Sequence, residues 1–220
     1  LSESEQRLQQ LTNSVLTGKA EEVRQNTYAA LARGGTINDV LDAVTEAVNI
    51  IVDLYDVGEY DVDRITSVEN AVGSCLQVLE DRLVKSQTRF NLKATVGPIG
   101  LKAGNLLSVA LCAALRSIGF DAVNLGKTQT PLDLLRNSEE LGADLVMPLL
   151  AREDIGKQIQ EFVEEIDRGG FRTKFEIVPV AQGLQDAANF PLYVARNPSE
   201  AISRATEWAI KRRTTAKGAW

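Results

Sequence analysis

The sequence predicts an α plus α/β protein: an N-terminal four-helix bundle followed by a flavodoxin-like (Rossmann-like) domain with a five-stranded parallel sheet. Apolar residues recur at spacings of three and four from Ser2 to about Ser86, and strand signals are absent there. Beyond that point short apolar runs, not patterned by two, alternate with helical stretches, which marks strands buried on both faces. With 220 residues, 44% hydrophobic and 25% charged, the chain has room for one or two globular domains and is not a disordered segment.

The bundle is expected over residues 1–87. A first helix, 5–17, has Leu8, Leu11, Val15 and Leu16 on one stripe and stops at Gly18. A second, 20–33, buries Val23, Thr27, Ala30 and Leu31 and ends at Gly34-Gly35. The third, 37–56, presents Ile37, Val40, Leu41, Val44, Val48, Ile51, Val52 and Tyr55. The break Gly58-Glu59-Tyr60 leads into a fourth, 62–85, with Ile65, Val68, Val72, Leu76, Leu79 and Leu83. Short loops between four such helices give an antiparallel bundle.

Val84–Asn91 is polar and mixed, a linker into the second domain, 88–220. Strand-like runs follow at Leu92–Val96, Ala122–Leu125, Asp144–Leu150, Lys174–Val180 and Leu192–Val194, with helical stretches at about 104–118, 131–141, 153–168 and 198–213. In such sheets ligands bind outside the carboxyl ends of the strands, which directs attention to loops 97–103, 126–131, 149–153 and 179–183.

The chain contains no histidine, which removes the commonest general base and every metal site that relies on imidazole. Cys75 and Cys112 lie in separate apolar helical runs, and two cysteines alone make neither a disulfide framework nor a metal site. Thirty acidic against twenty-four basic residues, a net charge of −6, leave no electrostatic footprint for nucleic acid. No run approaches a membrane-spanning length and the N-terminus, LSESEQRLQQ, has no signal-peptide core, so a cytoplasmic protein is expected.

Gly97-Pro98-Ile99-Gly100-Leu101-Lys102-Ala103-Gly104 occupies the place of a phosphate-cradling loop, between the first strand and a helix. Its spacing matches neither the Walker loop nor G-x-G-x-x-G, and Pro98 lacks a donor; a plain strand-to-helix turn or a site for another ligand fits better. The acidic turn Asp53, Asp56, Glu59, Asp61, Asp63 has Gly58 misplaced for a calcium loop, so it is a solvated turn. Glu161, Glu164, Glu165 and Asp167 form an exposed helix face, and Lys211, Arg212, Arg213 and Lys217 complement a helix C-terminus. No serine or cysteine has a credible base partner, so the residues themselves specify no reaction.

A helical bundle followed by a flavodoxin-like domain resembles the cobalamin-binding corrinoid proteins: methyl-carrier subunits of methyltransferase systems, the cobalamin module of methionine synthase and related light-sensing regulators. The resemblance covers about residues 5–210. Tyr55-Asp56-Val57-Gly58-Glu59-Tyr60 is similar to the family's aromatic-x-x-Gly-x-aromatic turn, which lies over the upper face of the corrin. Thr95-Val96-Gly97 is similar to the first strand-loop, Gly119-Phe120 with Val123, Leu125-Gly126 and Pro131 to the second strand and its turn, and Gly142-Ala143-Asp144-Leu145-Val146 to the third strand.

The lower-ligand motif of the family is Asp-x-His-x-x-Gly, in which histidine binds cobalt and aspartate orients it. Aligned from Thr95, those positions are Ile99, Leu101 and Gly104, so only the glycine survives. The family's serine after the third strand falls near Leu149, and its paired glycines after the fourth fall near Pro179 and Val180. The resemblance therefore implies a cobalamin (corrinoid) held without a protein-derived lower ligand, and a tail path narrowed by bulky residues. Its expected lining is Ile51, Tyr55, Tyr60 and Val62 from the bundle and Ile99, Leu101, Gly104, Leu149, Leu150 and Pro179 from the strand ends, meeting between the domains. The implied role is a non-catalytic carrier, sensor or subunit of a methyltransferase system, with a methyltransferase, a reductive activator or a regulatory protein as partner. The alternative is a regulatory or interaction module on a degenerate cobalamin-binding fold, with no corrinoid or with another planar tetrapyrrole.

Overall fold

The computed structural model describes residues 3–83, 90–100, 104–126, 129–151, 154–181, 184 and 190–217. The chain divides into two compact units, Leu1–Gln87 and Thr88–Trp220. The polar linker expected at 84–91 lies outside the described residues except for Phe90 and Asn91.

The first unit consists of α1 (Glu3–Leu16), α2 (Ala20–Ala32), α3 (Ile37–Asp56) and α4 (Val62–Leu83). Each begins within two residues of the sequence expectation, because solvent on one side of a helix leaves a clean period of 3.6. A capping box starts α3: Thr36 Oγ1 accepts from the Asp39 N–H at 3.1 Å, and the Asp39 carboxylate accepts from the Thr36 N–H at 2.7 Å. The core is drawn from Leu11 and Val15 of α1, Val23 and Ala30 of α2, Val40, Val44 and Val48 of α3, and Val68, Val72 and Leu79 of α4. Its many valines and alanines, with Thr27 buried among them and bonded to the Val23 carbonyl, let the helices approach closely.

The second unit runs β1 (Lys93–Ile99), α5 (Gly104–Ser117), β2 (Asp121–Asn124), α6 (Pro131–Glu140), β3 (Leu145–Leu150), α7 (Ile155–Gly169), a 3₁₀ turn (Phe171–Thr173), β4 (Glu176–Ile177), β5 (Val180–Ala181) and α8 (Pro198–Lys217). All strand pairs are parallel, in the order β2-β1-β3-β4, with β5 also on β3. α6 packs with α7 and α5 with α8. The strand order changes direction between β1 and β3, which makes their carboxyl ends the topological switch point of the sheet.

β1 extends to Ile99, three residues past the expected Val96, although Gly97-Pro98 looks like a stop. Successive residues of a strand present their polar groups to alternate neighbours. Leu125 N donates to Val96 O at 2.9 Å and Gln129 N to Pro98 O at 2.9 Å, so Pro98 faces the β2 side, just beyond the last β2 residue, Asn124. Its missing N–H has no strand opposite, and the proline is tolerated.

Pro148 interrupts the other edge in the same way. β4 and β5 keep one register on β3 (176 − 145 = 31 and 180 − 149 = 31), so they are two halves of a single edge strand. Pro148 stands opposite Pro179 at that offset and faces the edge strand, as Val146 does in accepting from Val178 N. The ladder bond from residue 148 cannot form, and the strand breaks there. The segment expected as a strand at Leu192–Val194 instead contributes one parallel bridge, Val180 to Ala195, closed by bonds of 2.8 Å from Ala195 N to Pro179 O and from Ala181 N to Ala195 O.

Candidate functional site

The carboxyl ends of β1 and β3 lie side by side in register, Ile99 opposite Leu150 and Pro98 opposite Leu149. Each strand ends on a minimal side chain. Gly100 has a left-handed backbone (φ +70°), and a Cβ built on it would lie 3.9 Å from the Ala151 Cβ, so the two residues are neighbours in ordinary contact. Gly100 is exposed and Ala151 half-buried. Together they form a small, uncharged platform at the switch point, where α/β sheets take ligands.

Two glutamines fix this platform. Gln158, in the first turn of α7, accepts from Ala151 N at 3.0 Å through Oε1, and its Nε2 donates to Ala151 O at 3.4 Å. Gln129 donates its backbone N–H to Pro98 O, and its side-chain oxygen accepts from Asn137 Nδ2 at 3.0 Å. Thr130 then caps α6, accepting from Asp133 N at 3.2 Å.

Beneath the platform the α6 and α7 side of the sheet is filled. Ile99, Leu150 and Ala181, the ends of three neighbouring strands, pack with Leu134, Leu135, Ile159 and Phe162 in one buried cluster. A Cβ on Gly97 would sit 2.5 Å from Leu134 Cδ1, and Leu134 is 0% exposed, so a methyl group there would force the Leu134 side chain to shift within the core. Below lies a buried hydroxyl pair, Thr95 and Ser138, 2.7 Å apart. Since Ser138 Oγ donates to Leu134 O at 2.7 Å, Thr95 is the donor to Ser138. On the opposite side of the sheet, toward α5, Val96, Met147, Leu149, Leu106 and Leu107 are buried.

The donor inventory is short. The chain has no imidazole, and its one methionine, Met147, is 0% exposed within β3. Burial pushes the thiols of Cys75 and Cys112 up to about 11 and about 12, which makes them poor metal ligands and poor nucleophiles near neutral pH. Among the described residues no group of three or more histidine, cysteine, aspartate or glutamate side chains is placed to hold a metal ion. No helix of the described residues is long and apolar enough to cross a membrane.

Of the lining expected from sequence, Ile99, Leu149, Leu150 and Pro179 come together at the strand ends, all buried, with Leu149 and Leu150 on opposite faces of the sheet. Gly104 opens α5, and Leu101 lies outside the described residues. In the bundle, Ile51 is buried and Tyr55 half-buried on α3. The Tyr60 hydroxyl donates to Leu16 O at 3.2 Å, where Arg64 also donates at 3.0 Å while its guanidinium lies 5.3 Å from the Tyr60 ring centroid. Tyr60 thus ties the turn to the end of α1. Val57 and Val62 flank that turn at 71% and 65% exposure. Gly100, Gln129 and Ala151 lie in the loops 97–103, 126–131 and 149–153 to which the sequence directed attention, though none was singled out as lining; Gln158 lies outside them, and its signal is that of a polar residue on the stripe Ile155, Gln158, Ile159, Phe162, Ile166 of α7.

A helical bundle followed by a parallel sheet of this order is the fold of cobalamin-binding corrinoid proteins. The structure of the monomethylamine corrinoid protein of Methanosarcina barkeri matches with a TM-score of 0.69 at 16% identity, over 93% of this chain and 99% of that one. Two further structures align with TM-scores of 0.47 and 0.48: the methanol:cobalamin methyltransferase complex of Methanosarcina barkeri (14% identity, 93% of this chain, 80% of that one) and a cobalamin-binding protein of Desulfitobacterium hafniense (13%, 91% and 98%). No family model and no curated protein matches the sequence.

Gly100 and Ala151 place no large or charged side chain of their own at the strand ends. The chain offers no imidazole to ligate a metal from below.

Proposed function

We propose that this protein binds a corrinoid at the carboxyl end of its parallel sheet, without a histidine ligand, and serves as a carrier or sensor that a protein partner recognises. The observation that carries the reading is the fold match to a corrinoid protein along 93% of this chain and 99% of the other. Gly100 and Ala151 offer the ring a level seat, with Ile99 and Leu150 as its apolar support and Gln158 holding the Ala151 backbone in place. The partner is a methyltransferase, a reductive activator or a regulatory protein. A carrier needs a partner to supply or take up the group it carries.

Incubation of the purified protein with hydroxocobalamin, followed by gel filtration, tests this through the visible absorbance that co-elutes with protein. About one corrinoid per chain is expected. No co-elution would leave the second reading, an interaction module without a corrinoid or with another planar tetrapyrrole. The filled α6 side of the sheet favours that second reading, and a parallel incubation with haem distinguishes its two forms.

A further inference from the structure

We infer that Arg116 keeps the outer edge of β2 closed, and that without its guanidinium this edge pairs with a second copy of the chain. The inference concerns the side of the sheet rather than its carboxyl end, and it does not rest on the corrinoid reading.

β2 is a terminal strand of the sheet, with β1 on one side only. Asp121 N donates to Leu92 O and Leu125 N to Val96 O, so the odd-numbered residues face β1, and Ala122 and Asn124 turn their backbone groups outward. An outward row of that kind is a template for another strand. At Ala122 the row is interrupted. Arg116, in the last turn of α5, donates to Ala122 O twice, from Nε at 3.1 Å and from Nη2 at 2.9 Å. A carbonyl oxygen has two lone pairs, so both are taken, and Ala122 is 1% exposed. A pairing strand would run about 4.8 Å from β2, through the place that the guanidinium holds. The Asn124 side chain turns along its own strand, with Oδ1 accepting from Gly126 N at 2.8 Å.

The other terminal edge directs the pairing to β2 itself. There Pro179 has no N–H, Pro179 O accepts from Ala195 N, and Ala181 N donates to Ala195 O, each bond at 2.8 Å, so those outward groups are engaged. A β2 edge laid antiparallel on a second β2 edge is self-complementary about a two-fold axis and closes as a dimer. Ala122 of one copy then lies opposite Asn124 of the other, and each such pair exchanges two main-chain hydrogen bonds.

Sedimentation velocity of the full chain over a range of concentrations tests this with Arg116→Met, which keeps an unbranched stem and removes the guanidinium fork. Its self-association should be tighter than that of the unmodified chain by about tenfold or more. Adding Asn124→Pro, which removes an outward N–H, should cancel the difference. Circular dichroism verifies that each variant is folded; should Arg116→Met not fold, Arg116→Gln, which also lacks the fork, carries the same expectation. Self-association of the folded variant equal to that of the unmodified chain would overturn the inference. So would association that Asn124→Pro leaves in place, because the contact would then lie elsewhere.

Discussion

Replacing Gly97 with alanine places a methyl carbon 2.5 Å from Leu134 Cδ1 and 3.4 Å from Leu125 Cβ. Ordinary carbon contacts lie at about 3.5–4.0 Å, so about 1–1.5 Å of overlap must be relieved. Leu134 cannot swing into solvent, being 0% exposed, and overpacking of such a core costs about 1–3 kcal/mol. Leu134→Ala alone removes a fully buried side chain and should cost about 2–5 kcal/mol. In the double variant the new methyl at 97 occupies part of the space that Leu134 vacates, so the two losses should fall short of additivity by about 1 kcal/mol or more. Urea unfolding followed through Trp208, stacked on Phe120 at 6.5 Å between ring centroids, reports on this unit. At about 2 kcal/mol per molar of urea, Gly97→Ala alone should lower the midpoint by about 0.5–1.5 M. A Gly97→Ala midpoint equal to that of the unmodified protein, or strict additivity in the double variant, would refute the tight fit.

The buried hydroxyl pair gives an asymmetric expectation. Ser138→Ala strands the Thr95 donor and should cost about 1–3 kcal/mol, whereas Thr95→Val leaves Ser138 bonded to Leu134 O and should cost about 1 kcal/mol; equal losses in urea unfolding would contradict the donor assignment. At alkaline pH, Tyr193 should ionise late: burial first, then its hydrogen bond to Glu200, pushes the phenol from 10.0 up to about 12. Because the folded value exceeds the unfolded one, the associated stability is present below about pH 10 and is lost between about pH 10 and 12. Ultraviolet titration should show a late component near 12 that Tyr193→Phe removes; an unchanged titration curve in that variant would contradict this.

The helices were legible in the sequence because each exposes one side and buries the other, and the resulting period survives even in the short loops of the bundle. The sheet was legible in its centre, where Leu145–Leu150 is apolar throughout, and less so at its margins. Gly97-Pro98 suggested a stop because the sequence does not say that β2 ends opposite Val96 and leaves no strand facing the missing N–H of the proline. Leu192–Val194 suggested a strand on composition alone, yet the ladder there is reduced to the single bridge at Ala195. The site was harder to see for a simple reason. A platform made of Gly100 and Ala151 is defined by what its side chains lack, and small residues leave no pattern at that spacing. The absent histidine, in contrast, was readable at once, and it bears more on the chemistry than any residue that is present.

The central claim, a corrinoid held without a ligand from the protein, is tested most directly by isotope-edited electron paramagnetic resonance. Protein grown on ¹⁴N and on ¹⁵N is loaded with natural-abundance cobalt(II) cobinamide, and the two spectra are compared. A nitrogen bound to cobalt along its axis splits the cobalt lines, with a multiplicity set by the nuclear spin of that nitrogen. The account predicts that each sample retains the corrinoid through gel filtration and that the spectra are superimposable, with no axial nitrogen splitting. A splitting that changes from three lines to two in the ¹⁵N protein would place a protein nitrogen on the metal and contradict it.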